Sequence, residues 1–273
     1  MEKLIITIAP TGNVPTKEMT PHVPVTAAEI VADVEACFAA GAAVAHLHAR
    51  DEVGAPTHRV EVFQKILAAL DASGCPIVRQ LSTGARAART GEERAEVLAL
   101  TADSASLATG SSNFPRSANV NEPALIEHLA KEMIQKGIKP ECEVFDAAMV
   151  PNAVSLAKAG LLQEPLVFNL VLGVKGALPA TARNLLFLVE SLPPGAVWSV
   201  AVVGPQHVPL SMMAMALGGH VRVGVEDNIY YEKGVLATNA MLVKRIASLA
   251  SAMGRDLATP VDVRRIWGVE GGL

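Results

Sequence analysis

The chain has 273 residues, of which 51% are hydrophobic and 18% are charged, and its formal net charge is −4. This length suits one α/β barrel or two small domains, and the interspersed charges offer no basic stripe to a nucleic acid. Three cysteines without a CxxC spacing, and the lack of any apolar run of about 18 residues, lead us to expect a reduced, cytoplasmic protein with neither disulfides nor a membrane partner.

Short apolar runs that end in Pro, Gly, Ser or Thr alternate along the chain with longer segments that carry helix signals. The first helix opens with Thr26-Ala27-Ala28-Glu29, which has the form of a capping box, and Gly41 ends it. The apolar runs predict strands at residues 4–9, 42–49, 76–81, 104–108, 141–145, 166–171, 196–203 and 220–225. The segments between and after them predict helices at residues 26–40, 59–70, 92–100, 122–136, 147–159, 181–190, 208–217 and 239–253.

This strict alternation predicts a parallel sheet, and eight units fit a single (β/α)8 TIM barrel over residues 1–273. An open, doubly wound sheet is the alternative. Such a sheet would normally have about five to seven strands and a GxGxxG motif after the first one, and that motif is absent from the sequence. Residues 259–273 form a short C-terminal extension, which we expect to cover one end of the barrel or to reach a neighbouring subunit.

Two histidines, His46 and His48, flank Leu47 at the end of the second predicted strand. Side chains alternate between the two faces of a strand, so both imidazoles point to one side and Leu47 points to the other. Two adjacent imidazoles make half of a metal site. The alternative is that they are ordinary polar residues where a strand leaves the core, because a bare HxH pattern is short and weak.

The eighth predicted strand places Arg222, Gly224 and Glu226 on one face, and Asp227 follows at the turn. An arginine inside a barrel is unfavourable unless an acid or an anionic substrate pairs with it. Glu226 could instead join the two histidines, since two imidazoles and one carboxylate with open positions form a catalytic zinc arrangement. A buried Arg–Asp ion pair that only closes the barrel is the alternative.

Other polar residues follow the predicted strands, and in a TIM barrel the chemistry lies at these carboxyl ends. Serine, threonine and asparagine at such positions often only cap the next helix, so a structural role is the alternative for them. The residues are Ser82, Thr83, Ser106, Thr109, Asn113, Glu143, Asp146 and Asn169.

Five motifs in the sequence together point to one family. They are His46-Leu47-His48-Ala49-Arg50-Asp51 with Gly54-Ala55-Pro56-Thr57-His58, the tripeptide Ser82-Thr83-Gly84, residues 139–146, residues 218–228 and, more loosely, residues 105–107 with 110–114. Together they resemble the β-keto acid cleavage enzyme family, of the 3-keto-5-aminohexanoate cleavage enzyme kind, over residues 4 to 250. The resemblance implies a TIM barrel with Zn²⁺ held by His46, His48 and Glu226. It also implies an acyltransferase that converts a β-keto acid and acetyl-CoA into acetoacetate and a new acyl-CoA.

The resemblance further assigns catalytic roles to Ser82, Glu143, Arg222 and Asp227, and it places Ser106 where some members would carry threonine. Arg222 with Asp227 would act as the base or would clamp the substrate carboxylate. The role as a base is implied by the resemblance alone, because an arginine pKa is normally too high for a base. Glu143 would orient Arg222 or accept a proton. The two serines would hold the oxygen of a tetrahedral intermediate.

Substrate and CoA contacts are assigned to Thr109, Asn113, Val14 and Arg86. Arg86 follows the Ser82 loop together with Arg89 and Arg94, which are otherwise read as a solvated helix face. Val14 is uncharged and its loop offers no acid to bind an amine, which disfavours a cationic keto acid. We also expect a homo-oligomer, and the resemblance implies a tetramer. The alternative functions are a metal-dependent aldolase-type lyase that works without CoA, a hydrolase that uses zinc-bound water, and a non-catalytic metal-binding barrel.

Overall fold

A computed structural model, described for residues 2–84, 90–115 and 117–269, contains a closed barrel of eight parallel strands. The strands are β1 (Ile6–Ile8), β2 (Val44–Leu47), β3 (Val78–Leu81), β4 (Ser104–Ala108), β5 (Lys139–Val144), β6 (Val167–Leu172), β7 (Val197–Val202) and β8 (His220–Val223). Each strand pairs with its neighbours in the sequence, and β8 closes onto β1 through the register Thr7 to Arg222. The predicted (β/α)8 barrel is therefore confirmed, and the open sheet is excluded.

Among the residues that the structure describes, eight helices follow the strands around the barrel, and a ninth comes after them. They are α1 (Ala27–Ala39), α2 (Val60–Ser73), α3 (Gly91–Glu96), α4 (Pro123–Gln135), α5 (Met149–Lys158), α6 (Ala182–Ser191), α7 (His207–Ala216), α8 (Asn239–Ala252) and α9 (Pro260–Trp267). The predicted capping box at Thr26 and Glu29 is present. Helix α3 is shorter than predicted, and Val97–Ala99 continues it as a 3-10 turn. None of the helices in the described ranges is long and apolar enough to cross a membrane.

Within the described parts of the chain, three short antiparallel hairpins interrupt the predicted alternation at the carboxyl ends of strands. Ala49–Arg50 pairs with Pro56–Thr57 after β2, Ser112–Asn113 pairs with Ala118–Asn119 after β4, and Tyr230–Glu232 pairs with Val235–Leu236 after β8. The predicted strand 42–49 therefore ends at Leu47, and His48 lies between β2 and the first hairpin. These hairpins add backbone around the mouth where the polar residues were predicted.

The C-terminal extension covers the amino end of the barrel. Helix α9 buries Val263, Ile266 and Trp267 against residues at the beginnings of barrel strands, among them Val78 and Val167. Its capping box at Thr259 and Asp262 is complete, and the Arg264 guanidinium Nε donates to Asp103 Oδ1 at 2.7 Å. The extension thus seals the face opposite to the candidate site, which was one of its two predicted roles.

Candidate active site

Three potential metal ligands meet at the carboxyl end of the barrel. His46 lies on β2, His48 follows directly, and Glu226 lies three residues after β8. The Nε2 atoms of the two histidines are 3.2 Å apart, and His48 Nε2 is 3.3 Å from Glu226 Oε1. One ligand atom from each of the three residues lies within 4.8 Å of the others. The strand alternation predicted the histidine pair, and barrel closure brings Glu226 to it.

These residues fit a divalent cation such as Zn²⁺. Two imidazole nitrogens and a carboxylate are zinc ligands in catalytic sites, and one acceptor, Glu226 Oε2, is buried without a hydrogen-bond partner. Burial, with a contribution from the charge of Arg222, lowers the pKa of His46 to about 3. His46 is therefore neutral over the physiological range, which is the state in which an imidazole binds a metal.

Gly12, in the loop after β1, makes room for the third ligand. Its φ is +62°, and a Cβ atom built on it would lie 2.5 Å from Glu226 Cγ. An alanine would therefore collide with the Glu226 side chain and would also adopt a backbone conformation that L-residues disfavour. The glycine allows this loop to pass directly over the Glu226 side chain.

Arg222 on β8 is surrounded by three carboxylates. Its Nε donates to Asp227 Oδ2 at 3.0 Å, and its Nη2 donates to Asp227 Oδ1 at 3.1 Å and to Glu226 Oε1 at 2.7 Å. Its Nη1 lies 3.5 Å from Glu143 Oε1 and makes no hydrogen bond, although it is buried. The bidentate contact with Asp227 holds the guanidinium plane, and Nη1 is the donor that remains for a substrate anion.

Burial and mutual attraction shift the pKa values of this cluster. Burial would lower the pKa of Arg222, but the carboxylates of Asp227, Glu226 and Glu143 outweigh it and raise that pKa well above its ordinary value. Burial raises the pKa of Glu143 to about 7 despite the attraction of Arg222, and burial likewise raises the pKa of Asp227. Arg222 thus keeps its proton, while two nearby carboxyl groups are more basic than usual.

The predicted hydroxyl groups lie on neighbouring strands, with Ser82 directly after β3 and Ser106 in the middle of β4. Ser82 Oγ accepts from the Gly84 backbone N–H at 3.3 Å, and Ser106 Oγ accepts from the Thr83 backbone N–H at 3.2 Å. The Thr83 hydroxyl donates to the Ser106 carbonyl at 2.6 Å, so it ties the loop after β3 to β4. Both serine hydroxyls therefore have an occupied acceptor lone pair, and their protons can point to another acceptor.

Other predicted residues have structural contacts. The buried Thr109 hydroxyl donates to the Met149 carbonyl at 2.9 Å, whereas Asn113 is exposed on the second hairpin. Asn169 lies inside β6, and its Oδ1 accepts from Ser199 Oγ at 3.2 Å. Arg86 and Arg89 lie outside the described residues.

The interpretation of Arg94 as part of a solvated face is wrong. The side chain is buried, and its guanidinium donates to the Thr83 carbonyl at 2.7 Å, to the Val120 carbonyl at 3.1 Å and to Asn121 Oδ1 at 2.6 Å. A guanidinium with these partners joins the loops after β3 and β4. It is not positioned as a free cation for a CoA phosphate.

Two buried polar residues inside the barrel, Gln80 and Glu141, were not predicted. Gln80 Oε1 lies 2.6 Å from His46 Nδ1, and burial raises the pKa of Glu141 to about 7. Each precedes a predicted site residue, Ser82 or Glu143, by two positions. The period of two that places His46 and His48 on one face also places each of them on the face of that site residue, but both lie deeper in the barrel than the strand ends, where the site was predicted.

The sequence profile of the beta-keto acid cleavage enzyme family (BKACE) matches residues 3–269. The chain belongs to this family. It is 44% identical to the 3-keto-5-aminohexanoate cleavage enzyme of Acetoanaerobium sticklandii, over 98% of this chain and 99% of the relative. It is 39% identical to the 3-oxoadipate:acetyl-CoA acetyltransferase of Cupriavidus necator, over 97% of this chain and 94% of that one. The resemblance predicted from five motifs is thus confirmed, and so is the prediction that the chain is an enzyme that cleaves β-keto acids.

Among solved structures, the apo form of ObcA matches the β-keto acid cleavage enzyme barrel with a TM-score of 0.79. The match covers 93% of this chain and 66% of ObcA at 23% sequence identity. This likeness supports the barrel architecture and carries no information about the substrate.

Proposed function

We propose that the chain is a zinc-dependent acyltransferase that converts a β-keto acid and acetyl-CoA into acetoacetate and a new acyl-CoA. The observation that carries this proposal is the His46, His48 and Glu226 group beside the Arg222 cluster, at the mouth of a barrel of this family. Zn²⁺ bound to these three residues would supply Lewis acidity towards the substrate oxygens.

The substrate carboxylate is proposed to bind at Arg222. Nη1 has no hydrogen-bond partner and is buried, and a guanidinium is suited to a carboxylate. Because Asp227 and Glu226 hold the other guanidinium nitrogens, the orientation of Nη1 is set before substrate binds. Such preorganisation lowers the cost of ordering the substrate.

Asp227 is the proposed acceptor of the α-proton, because Arg222 keeps its own proton among three carboxylates. Glu143 is the second candidate, since its only charged contact in the described site is the 3.5 Å approach to Arg222. The two roles can be separated by measuring exchange of the substrate α-hydrogens with D₂O in the absence of acetyl-CoA. Asp227→Asn should abolish the enzyme-dependent exchange, whereas loss of exchange in Glu143→Gln alone would move the base to Glu143.

After deprotonation, the α-carbon attacks the thioester carbonyl of acetyl-CoA, a carbon–carbon bond forms and the CoA thiolate leaves. The thiolate then attacks the original ketone, and the bond between that carbonyl and the α-carbon breaks with its electron pair left on the α-carbon. The departing enolate takes back the proton that Asp227 accepted, and acetoacetate and the new acyl-CoA are released. Each attack places negative charge on a carbonyl oxygen. The hydroxyl protons of Ser82 and Ser106 are the proposed donors to those oxygens, since their lone pairs already accept from backbone N–H groups.

For CoA and substrate contacts we retain Arg86, Asn113, Thr109 and Val14 as proposals. Thr109 would act indirectly, because its hydroxyl holds the Met149 carbonyl, while the exposed Asn113 is open to a ligand. Val14 is 45% exposed in the loop after β1, two residues beyond the glycine that lies over Glu226. We therefore propose a keto acid whose distal group carries no cation. We also propose that the protein is a cytoplasmic homotetramer.

The decisive experiment incubates the purified protein with a panel of β-keto acids and acetyl-CoA and measures acetoacetate and acyl-CoA. His46→Ala and Arg222→Ala should abolish product, whereas an exposed change such as Val53→Ala should not. Product formation without acetyl-CoA would favour the aldolase-type lyase. Free acid without a CoA ester would indicate the hydrolase. Unchanged turnover in both site variants would refute the assigned site.

A further inference from the structure

The ring nitrogen of His46 that faces away from His48 contacts one side chain, Gln80. His46 Nδ1 lies 2.6 Å from Gln80 Oε1, and both side chains are buried. The two residues are direct register partners on the adjacent strands β2 and β3. The contact is thus built into the barrel sheet and does not depend on a loop.

The other side of the Gln80 amide determines which of its atoms faces His46. Gln80 Nε2 donates to Ser104 Oγ at 3.3 Å, and the amide also interacts with the carboxyl group of Glu141. In its ionised form this carboxyl group only accepts hydrogen bonds. With its nitrogen donating to Ser104 Oγ, the amide presents its oxygen to His46. Glu141 Oε2 is buried without a hydrogen-bond partner in the described structure.

An amide oxygen can only accept, so the hydrogen of His46 must reside on Nδ1. The lone pair then resides on Nε2, which is the atom 3.2 Å from His48 Nε2 within the three-residue ligand group. In the opposite tautomer, Nε2–H would point into this group, and Nδ1 would face the Gln80 oxygen lone pairs at 2.6 Å. That arrangement would bring two acceptors together and is therefore disfavoured.

We propose that Gln80 is a positioning residue which, oriented by Ser104 and Glu141, holds His46 in the Nδ1–H tautomer and directs Nε2 to the metal. This inference rests on the zinc site of the proposed function. Partners behind a ligand histidine commonly change metal affinity by about 10- to 100-fold when they are removed. Here the partner is an amide with a buried carboxyl group behind it.

The test compares Gln80→Met, which keeps the length of the side chain and removes the acceptor, with Gln80→Glu, which restores an acceptor. Ser199→Ala is the control. Ser199 is also a buried polar residue of the barrel, but its hydroxyl contacts Phe168 and Asn169. Zinc affinity is measured by competition with a chromophoric chelator on the metal-free protein. Thermal unfolding establishes that each variant is folded.

We expect Gln80→Met to weaken zinc binding by about 10- to 100-fold, and Gln80→Glu and Ser199→Ala to remain within about threefold of the wild type. Equal weakening in Gln80→Met and Ser199→Ala would indicate a general packing effect and would overturn the proposal. A zinc affinity of Gln80→Met equal to that of the wild type would also overturn the proposal. A wild-type protein that binds no zinc would instead refute the metal of the proposed function.

The tautomer is measured directly, by long-range ¹H–¹⁵N correlation of the histidine rings in the metal-free protein. His46 is assigned by its loss in His46→Ala. We expect Nδ1–H in the wild type and in Gln80→Glu, and a mixture of tautomers in Gln80→Met. Nε2–H in the wild type would overturn the proposal even if Gln80→Met does not fold, or if the protein binds no zinc.

Discussion

Replacing Gly12 by alanine should displace the Glu226 side chain from the proposed zinc site and so weaken zinc binding. The new Cβ would lie 2.5 Å from Glu226 Cγ, 2.9 Å from its Cβ and 3.0 Å from its Cδ. Carbon atoms normally approach to about 3.5 Å, so Glu226 or the loop must retreat by roughly 1 Å. Zinc–oxygen bonds are about 2.0–2.2 Å long and tolerate deviations of only about 0.2 Å. A displacement of this size therefore removes the carboxylate ligand.

Gly74→Ala is the matched control for this variant. Gly74 has φ +70°, close to the +62° of Gly12, but its Cβ would meet no atom within 4 Å. Both variants should lose about 1–2 kcal/mol of stability from the left-handed backbone, seen as a similar fall in Tm. Only Gly12→Ala should weaken zinc by at least about tenfold in chelator competition. Equal zinc affinities for the two variants would refute the steric argument.

Three further changes probe the interior, the substrate loop and the C-terminal helix. Burial raises the pKa of Glu141 to about 7, above its unfolded value, so its ionisation costs stability as the pH rises from about 4.5 to 7. In denaturant titrations, the free energy of unfolding of Glu141→Gln relative to that of the wild type should therefore rise by on the order of 2 kcal/mol from pH 5 to pH 8. The same difference in free energy of unfolding at both pH values would contradict this. Val14→Glu should raise kcat/KM for an amino-substituted keto acid over the uncharged one, and an unchanged ratio would remove Val14 from the substrate site. Trp267→Ala should lower stability by about 3–5 kcal/mol with KM unchanged, because the buried ring packs at the opposite end of the barrel; a raised KM would contradict the separation of the two ends.

Local patterns in the sequence were sufficient for the architecture and for the three residues that could hold a metal. Alternating apolar runs and capped helices predict the barrel, and the period of two puts His46 and His48 on one face. Glu226 was identifiable because a closed barrel brings all strand ends to one mouth. These inferences require only the side on which a residue lies and the end of the strand at which it stands.

The features that were missed depend on contacts between segments that are far apart in the sequence. Gln80 reaches His46 because β2 and β3 pair in a particular register, and Arg94 is buried because the loops after β3 and β4 close around it. The local sequence around Arg94 has the charge pattern of a solvated helix. It does not reveal the three acceptors of Arg94, because they come from other segments of the chain. For the same reason, the sequence left open whether the extension of residues 259–273 covers one end of the barrel or reaches a neighbouring subunit.

The charges of the barrel interior explain why the cluster and the metal site occur together. Arg222 lies against three acids, Glu143, Glu226 and Asp227, which is an excess of acids over this guanidinium. Burial of a carboxylate is costly, and here burial raises the pKa values of Glu143 and Asp227, while Glu226 Oε2 has no hydrogen-bond partner. A divalent cation at His46, His48 and Glu226 would compensate this excess and leave Arg222 Nη1 to a substrate anion. One carboxylate would suffice to neutralise Arg222 in a purely structural ion pair, so the presence of three acids favours the proposed site over that alternative.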